Sequence, residues 1–336
     1  MSIFACEAFL KAVGNEYGWL GGVSDSGELL CILPYTLIHK IFFKMVRFRT
    51  ETIAVTEKLE IPEEKKFLEE AMEYFRILGA DLIIPASNNA IFRTYPDGAE
   101  AAPYGSYIID LTKTEDMLWK NIDRITRQNI KTAQKNGVQI VTGFDRLNDV
   151  HRHVRDTFRR SKLPFMNLDS FERYVKGLGS NGIILAAIYK DLVQSCVVFA
   201  YSEYCVYAIY AGNLPDQYPG ANKLLYWEAM RLFRSMGVRQ YDFMGARIDP
   251  EKGSKQEALA QFKKRFGAEL KRGFIWKYPL HPLRYRLYAL AARLRSGGDI
   301  VDAERHKLVP PRDGISPSEA KSVREANGAE DPPCRD

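Results

Sequence analysis

The sequence has 336 residues, which suggests two domains, and 46% of them are hydrophobic, which is enough to build a packed core. The net charge of +6 suits an anionic ligand or an acidic membrane surface, but it is too small for a dedicated nucleic-acid-binding protein. The five cysteines are scattered without a CxxC pair, so we expect reduced thiols, no zinc site and no disulfide framework.

The first part of the chain predicts short strands and then a helix. Glycines punctuate residues 17–55, and FRTETIAV (48–55) alternates like a strand. The most apolar stretch, 29–43, is interrupted by proline and charge and is too short to span a membrane as a helix. PEEKKFLEEAMEYFRILG (62–79) predicts an amphipathic helix that ends at Gly79, and the strand DLIIPA follows.

The same order of elements returns later in the chain. GANKLLYWEAMRLFRSMG (220–237) predicts a second amphipathic helix, and VRQYDF predicts the strand after it. At one constant offset, Phe75 corresponds to Phe233 and Gly79 to Gly237. The sequence therefore predicts one α/β unit that occurs twice.

The region between the two copies predicts a strand at 106–111, a long helix at about 114–136 and three further strands. These strands span 182–190, 192–202 and 205–212. Their connections are too short for crossovers, so we expect antiparallel hairpins.

The helix predicted at 114–136 has a row of cations at helical spacing. On one continuous helix these cations fall within an arc of about 80°. The row is either the solvated face of an ordinary amphipathic helix or a stripe that binds phosphate. Its members are Lys120, Arg124, Arg127, Lys131 and Lys135.

One cation in QFKKRFG (261–267) is placed differently from its neighbours. On the helix predicted at 255–266, Lys264 and Arg265 point away from the apolar stripe, whereas Lys263 lies at its margin. The Lys263 ammonium is then either the end of a stem that lies along apolar surface or a cation in a partly dry cleft. In the cleft it would stabilise a developing oxyanion or a phosphate.

Two patterns flank the second helix of the repeat. Asp242 ends the strand in YDFMGA, where the first copy has Ile84, and it is either a site residue or the cap of the next turn. QYPGAN (217–222) resembles the acetyltransferase loop that binds the pyrophosphate of coenzyme A through backbone amides, although its last position is not Gly or Ala. The loop residues concerned are Gln217, Gly220 and Asn222.

The end of the chain predicts a basic amphipathic helix over 281–296 and a disordered tail over 297–336. Arginines beside leucines and tyrosines are typical of an interfacial helix, although a helix docked on the domain fits the same pattern. The arginines are Arg284, Arg286, Arg293 and Arg295.

Three segments resemble the Fem-type aminoacyltransferases of the GNAT acyltransferase superfamily. They are RQNIKTAQKNGV (127–138), PGANKLLYWEAMRLFRSMGVRQYDFMGA (219–246) and FKKRFGAEL (262–270). The resemblance covers roughly residues 20–280. It implies an α/β fold of two tandem GNAT-like domains, with mixed, mostly antiparallel sheets flanked by helices.

The resemblance divides the chain into a degenerate first domain (1–105) and a catalytic second domain (106–280). Lys263 matches the lysine of the family's FKxxFG motif in the aminoacyl-transfer site, and Asp242 matches the end of the strand before it. The R-N-I-K segment is matched by Arg127, Asn129 and Lys131. The long coiled-coil arm of several Fem enzymes has no counterpart here, which puts a cross-bridge reaction of that kind in doubt.

The chemistry implied is attack of an amine on an ester or thioester carbonyl. We expect a cleft where the paired strands near 197–212 splay, with backbone amides and Lys263 facing the carbonyl oxygen. Tyr210 is either a proton donor to the leaving group or an aromatic residue that packs on the sheet.

The expected donor is aminoacyl-tRNA or acyl-CoA, and the expected acceptor is an amine on a cell-wall or cell-surface glycan precursor or a lipid-linked one. Neither a permanently bound cofactor nor a metal is expected. The alternatives are an acyl-CoA-dependent N-acyltransferase of surface polysaccharide biosynthesis and a non-catalytic scaffold at a membrane surface. We expect a cytoplasmic protein, with peripheral contact to the inner face of the membrane through 281–296. The residues expected to hold the donor are Arg124, Arg127, Asn129, Lys131, Gln217, Gly220 and Asn222.

Overall fold

The computed structural model describes residues 2–40, 42–57 and 59–307, and this part of the chain forms thirteen strands and ten α-helices. The strands are β1 (Glu16–Val23), β2 (Leu29–Lys40), β3 (Phe43–Phe48), β4 (Ile53–Ala54), β5 (Leu82–Ile83), β6 (Glu100–Asp110), β7 (Gln139–Thr142), β8 (Gly182–Tyr189), β9 (Leu192–Tyr201), β10 (Cys205–Asn213), β11 (Gln240–Asp242), β12 (Ala246–Arg247) and β13 (Glu269–Pro279). The helices are α1 (Glu7–Val13), α2 (Ile61–Ile77), α3 (Glu115–Asn121), α4 (Arg124–Lys135), α5 (Leu147–Arg160), α6 (Leu168–Gly177), α7 (Ala221–Ser235), α8 (Lys255–Lys264), α9 (Pro282–Ser296) and α10 (Ile300–Arg305).

The strands form one continuous mixed sheet in the order β1-β2-β3-β5-β13-β6-β11-β10-β9-β8-β7. Most neighbours are antiparallel, and the exceptions are the parallel pairs β3–β5 and β10–β11. The predicted hairpins β8–β9 and β9–β10 are antiparallel as expected. The fold is therefore the mixed α/β class that the sequence predicts.

The sequence repeat corresponds to two parallel crossovers. In the first copy the chain runs from β3 through the short β4 and α2 to β5, and in the second copy it runs from β10 through α7 to β11. The last strand of each copy then pairs antiparallel on its other side, β5 with β13 and β11 with β6. The two helices have their apolar faces on the sheet because each buries a helical row of large side chains.

The long strand β13 joins the two halves of the sheet. Residues 269–277 pair with β6, and residues 278–279 pair with β5. The expected domain boundary after residue 105 falls inside β6, whose pairing with β13 runs without a break from Glu100 to Ile108. A division there would cut one continuous strand, so we propose that the two domains meet along β13.

Each half of the sheet is covered on both faces. In the second half, α3, α4, α7 and α8 cover one face, and α5 and α6 cover the other. The chain's first residues join this second layer, because Phe4, Phe9 and Leu10 pack with Phe171 and Val198. In the first half, α2 covers one face and α9 the other.

The prediction of a single helix over 114–136 is wrong, because the structure has two helices there, α3 and α4. Ile122 has extended backbone (ψ 135°) and separates α3 from α4. The carboxylate of Asp123 accepts hydrogen bonds from the N–H groups of Ile125 and Thr126 and so caps a new helix. The row of five cations is therefore interrupted after Lys120.

Two further predictions are corrected by the structure. FRTETIAV forms a strand only at its first residue and at Ile53–Ala54, because the amide of Asn89 rather than a neighbouring strand satisfies the carbonyl of Arg49. The predicted disorder from residue 297 is wrong for residues 300–305, which form α10. Val301 of this helix is buried, and Lys277 binds Asp302 at 2.7 Å. Residues 308–336 of the predicted tail lie outside the described part of the chain.

Candidate functional site

Lys263 lies on α8 at the edge of the core, while Lys264 and Arg265 are exposed. Its ammonium donates hydrogen bonds to the carbonyl oxygens of Met244 and Gly245, the second at 2.7 Å. Burial lowers the pKa of Lys263 to about 8, and the charge of Asp242 acts in the opposite direction. The sequence therefore placed Lys263 correctly, although its ammonium contacts backbone oxygens.

Asp242 ends β11 directly before the same turn. It accepts hydrogen bonds from the hydroxyl of Ser106 and from the N–H of Met244, the latter at 2.6 Å. Burial raises the pKa of Asp242 to about 6, although both hydrogen bonds oppose the rise. The structure therefore shows Asp242 as the cap of the turn, with a carboxyl group whose pKa is raised by burial.

A cavity of about 690 Å³ lies next to this turn, between the two halves of the sheet. It opens where β10 and β11 diverge, because they pair only from Cys205 to Tyr207 while β10 continues to Asn213. The expected splay within the antiparallel pair near 197–212 is wrong, since β9 and β10 stay paired apart from a bulge before Tyr210. Met244 lines the cavity, and Asp242 and Lys263 do not.

Tyr210 lines the cavity from the bulge in β10. Its ring packs against four aromatic rings of α5, α6 and the loop between them at centroid distances of 5.2–6.3 Å. Burial raises the pKa of Tyr210 to about 12, and the charges of Arg47 and Arg49 oppose this shift. This rise keeps the phenol protonated at neutral pH and makes it a weaker acid than an exposed tyrosine.

The cavity is also lined by two arginines, Arg47 and Arg49, that the sequence analysis did not identify. In the segment MVRFRT the two arginines alternate with Val46 and Phe48, which are buried. Alternate residues of a strand share a face, so two cations at this spacing between buried neighbours should lie side by side. That alternation was the signal in the sequence that could have found them.

The expected phosphate-binding cations lie on α4, away from the cavity. Nη1 of Arg127 donates to the carbonyl oxygens of Trp119, Lys120 and Ile122, so this side chain ties α4 to the end of α3. The ammonium of Lys131 lies 5.9 Å from the ring centre of Trp119, and Arg124 is exposed. These residues form a solvent-exposed face with structural contacts, and none of them lines the cavity.

The loop 217–222 meets the same helix. Gly220 has φ +86°, and a Cβ placed there would lie 2.3 Å from the carbonyl oxygen of Asn129, so only glycine fits. The side-chain oxygen Oε1 of Gln217 is buried without a hydrogen-bond partner in the described part of the chain, and Asn222 lies in the first turn of α7. The structure therefore brings Gly220 against Asn129, and none of Asn129, Gln217, Gly220 and Asn222 lines the cavity.

Comparison with known proteins identifies relatives of this arrangement. Residues 95–191 match the sequence profile of the FemAB family. The solved structure of FemX is 16% identical, with a TM-score of 0.62 over 85% of this chain and 93% of that one. The C-terminal domain of a putative lysylphosphatidylglycerol synthetase from Agrobacterium fabrum is 12% identical, with a TM-score of 0.52 over 87% of this chain and 93% of that one.

A conserved protein of unknown function from Bacteroides thetaiotaomicron has the same fold at 9% identity, with a TM-score of 0.51 over 81% of this chain and 89% of that one. No curated protein matches the sequence. At these identities the solved structures establish the fold alone, and the similarity to the FemAB family covers residues 95–191.

Proposed function

We propose that this chain, a Fem-type, GNAT-like acyltransferase, moves an acyl or aminoacyl group from an activated ester or thioester to an amine on a cell-wall or cell-surface precursor. The single observation that carries the site assignment is the divergence of β10 and β11 beside Tyr210, which opens a cavity of about 690 Å³. Cavities of this size hold small molecules or the reactive ends of larger ones.

The reaction forms a C–N bond and breaks the C–O or C–S bond of the donor. The attacking nitrogen loses a proton, and the leaving oxygen or sulfur gains one. Tyr210 lines the cavity and carries an O–H group, so we assign it as the donor of the second proton. Lys263 and Asp242 act as positioning residues, because they hold the turn whose Met244 side lines the cavity.

The donor class is tested by offering both candidates to the purified protein. Aminoacyl-tRNA is supported by the exposed cations Arg124 and Lys131, and acyl-CoA is supported by the loop 217–222 at the start of α7. Calorimetry with coenzyme A and protection of charged tRNA from hydrolysis measure binding, and transfer to amine acceptors measures activity. Absence of acyl transfer from both donor classes, across a panel of amine-bearing precursors, would overturn the proposal.

A second candidate function is attachment to a membrane surface through α9. Its buried side packs on the sheet through Tyr285, which is 8% exposed. Four leucines lie about 180° away on the same helix, at spacings of 4, 3 and 4 residues. They are 67%, 63%, 58% and 81% exposed, and they are Leu283, Leu287, Leu290 and Leu294 in that order.

The surroundings of this stripe favour an acidic lipid surface as its partner. Phe42, which is 76% exposed, shares a shallow surface pocket with Lys40 and Leu287. Arg286 and Arg293 are exposed along one side of the stripe. An apolar row beside cations is the pattern of a helix that lies in the bilayer interface. No helix in the described part of the chain is long and apolar enough to cross a bilayer.

A further inference from the structure

Two arginines line the cavity, and one of them has a buried donor without a partner in the described part of the chain. Arg49 is 6% exposed and is held by the hydroxyl of Thr36 at 2.9 Å and by the carbonyl of Val13 at 2.7 Å. Arg47 lines the same wall, and its Nε is buried without a hydrogen-bond partner in the described part of the chain. A guanidinium with unused donors in a low-dielectric site is costly unless something binds it.

No carboxylate of the described residues neutralises this pair. The groups that act electrostatically on the two guanidiniums are phenols and Arg47 itself, and burial lowers the pKa of both. Guanidinium groups stay protonated in proteins, so both remain charged. Asp299 also lines the cavity, but Lys277 binds it at 2.9 Å. The cavity wall therefore presents two positive charges with free donor capacity.

Aromatic side chains also line the cavity. The ring of Tyr210 lies 5.2 Å from that of Phe165 and 5.4 Å from that of Tyr174, and all three residues line the cavity together with the arginines. Rings of this kind accept a flat apolar body, and paired guanidiniums accept a planar or tetrahedral anion through charge-assisted hydrogen bonds. The arginines and the aromatic rings together select a ligand that carries a negative group.

We propose that Arg47 and Arg49 form a binding site for a carboxylate or phosphate group, and that the amine acceptor carries this group. The anion site stands on the geometry alone, and its assignment to the acceptor rests on the proposed function. Bound in this way, the acceptor lies in the same cavity as Tyr210, where its amine is available to the donor carbonyl.

Ligand-observed NMR with benzoate and phenyl phosphate at low ionic strength tests the anion site, with benzyl alcohol as the neutral control. We expect one of the two anions to bind and benzyl alcohol to bind more weakly. Arg47→Gln should weaken anion binding by about 10- to 100-fold, the effect of losing a charge-assisted hydrogen bond. Arg239→Gln, at an exposed position directly before β11, removes the same charge elsewhere and should leave binding unchanged. Absence of binding by both anions, or equal binding by the Arg47→Gln variant, would overturn the site.

Thermal unfolding supplies a readout that a purely structural arginine would not give. Arg47→Met removes an unpaired buried charge, so the ligand-free variant should unfold at a higher temperature than the wild-type protein. Benzoate or phenyl phosphate should raise the unfolding temperature of the wild-type protein only. A variant that is less stable than the wild type without ligand would show that Arg47 serves the fold and would refute the site.

The assignment to the acceptor is tested separately once transfer is measured. Arg47→Gln should raise KM for the acceptor about tenfold or more and leave KM for the donor unchanged. An unchanged acceptor KM would refute the assignment while leaving the anion site intact. Anion binding without any transfer activity would refute the proposed function alone.

Discussion

The side chains of Lys263 and Asp242 hold one turn from its two ends. Lys263 donates to the carbonyl oxygen of Gly245 at 2.7 Å, and Asp242 accepts the N–H of Met244 at 2.6 Å. Met244 and Gly245 have φ values of +54° and +45°, and such a conformation is unfavourable for the non-glycine residue. Two side chains of opposite charge therefore stabilise a backbone conformation in the cavity wall that Met244 would not favour by itself.

Removal of the Lys263 ammonium should loosen this turn. Lys263→Met keeps an unbranched apolar stem and takes a charged donor from two carbonyl oxygens, so the free energy of unfolding should fall by about 1–3 kcal/mol. Transfer should drop mainly through kcat, because Met244 moves relative to the cavity. Urea unfolding and steady-state kinetics measure both effects, and Lys264→Met, at the exposed neighbouring position, is the control. Unchanged kcat in a folded Lys263→Met protein would contradict the positioning role.

The carboxyl group of Asp242 should make stability depend on pH in an unusual direction. Burial raises its pKa from 3.8 to about 6, so the folded state binds the proton more tightly than the unfolded state. The contribution of Asp242 to stability is therefore largest below about pH 4 and is lost as the pH rises through about 6, by an amount on the order of 3 kcal/mol.

Asp242→Asn keeps an oxygen for Ser106 and Met244 but does not titrate. As the pH rises across that range, the unfolding free energy of the variant should increase relative to that of the wild type. Denaturant unfolding at several pH values checks it, with Asp25→Asn on an exposed turn as the control. A difference that is constant with pH would show that the carboxyl group titrates normally.

The sequence predicted what depends on local patterns. The period of apolar residues gave both repeat helices, and the same period placed Lys263 at the edge of the core. The sequence did not predict the break at Ile122, because the apolar period of one continuous helix runs through the same residues that end α3 and cap α4 at Asp123. The arginine wall was missed because Arg47 becomes part of a cavity only when the first half of the sheet meets residues more than a hundred positions away.

Loss of the Tyr210 hydroxyl should slow transfer without unfolding the protein. Tyr210→Phe keeps the aromatic contacts with Phe165 and Tyr174, so the unfolding temperature should change little. If the hydroxyl protonates the leaving group, kcat should fall by about 100-fold or more. Tyr204→Phe removes a hydroxyl from a side chain that is 55% exposed and serves as the control. Equal kcat in Tyr210→Phe and wild type would leave Tyr210 as a packing residue.

The exposed leucines of α9 should bind acidic membranes. The wild-type protein should float with phosphatidylglycerol vesicles more than with phosphatidylcholine vesicles, and Leu287→Ser combined with Leu294→Ser should abolish flotation. Ile77→Ser is the matched control, since Ile77 and Leu294 are both 81% exposed and Ile77 lies on α2. If the wild-type protein does not float, or if it forms a concentration-dependent dimer that the double variant does not form, a protein partner binds this face instead.

The contact between loop 217–222 and α4 can be tested at a single glycine. Gly220→Ala places a methyl group at φ +86° and within 2.3 Å of the carbonyl oxygen of Asn129. Gly137 has nearly the same conformation, φ +83°, but nothing lies within 4 Å of its Cβ position, so Gly137→Ala measures the backbone strain alone. We expect Gly137→Ala to cost about 1 kcal/mol of unfolding free energy and Gly220→Ala to cost clearly more, because a backbone oxygen must also move. Equal costs in chemical denaturation would mean that the loop separates from α4 without penalty, and the loop would then be free to rearrange around a donor.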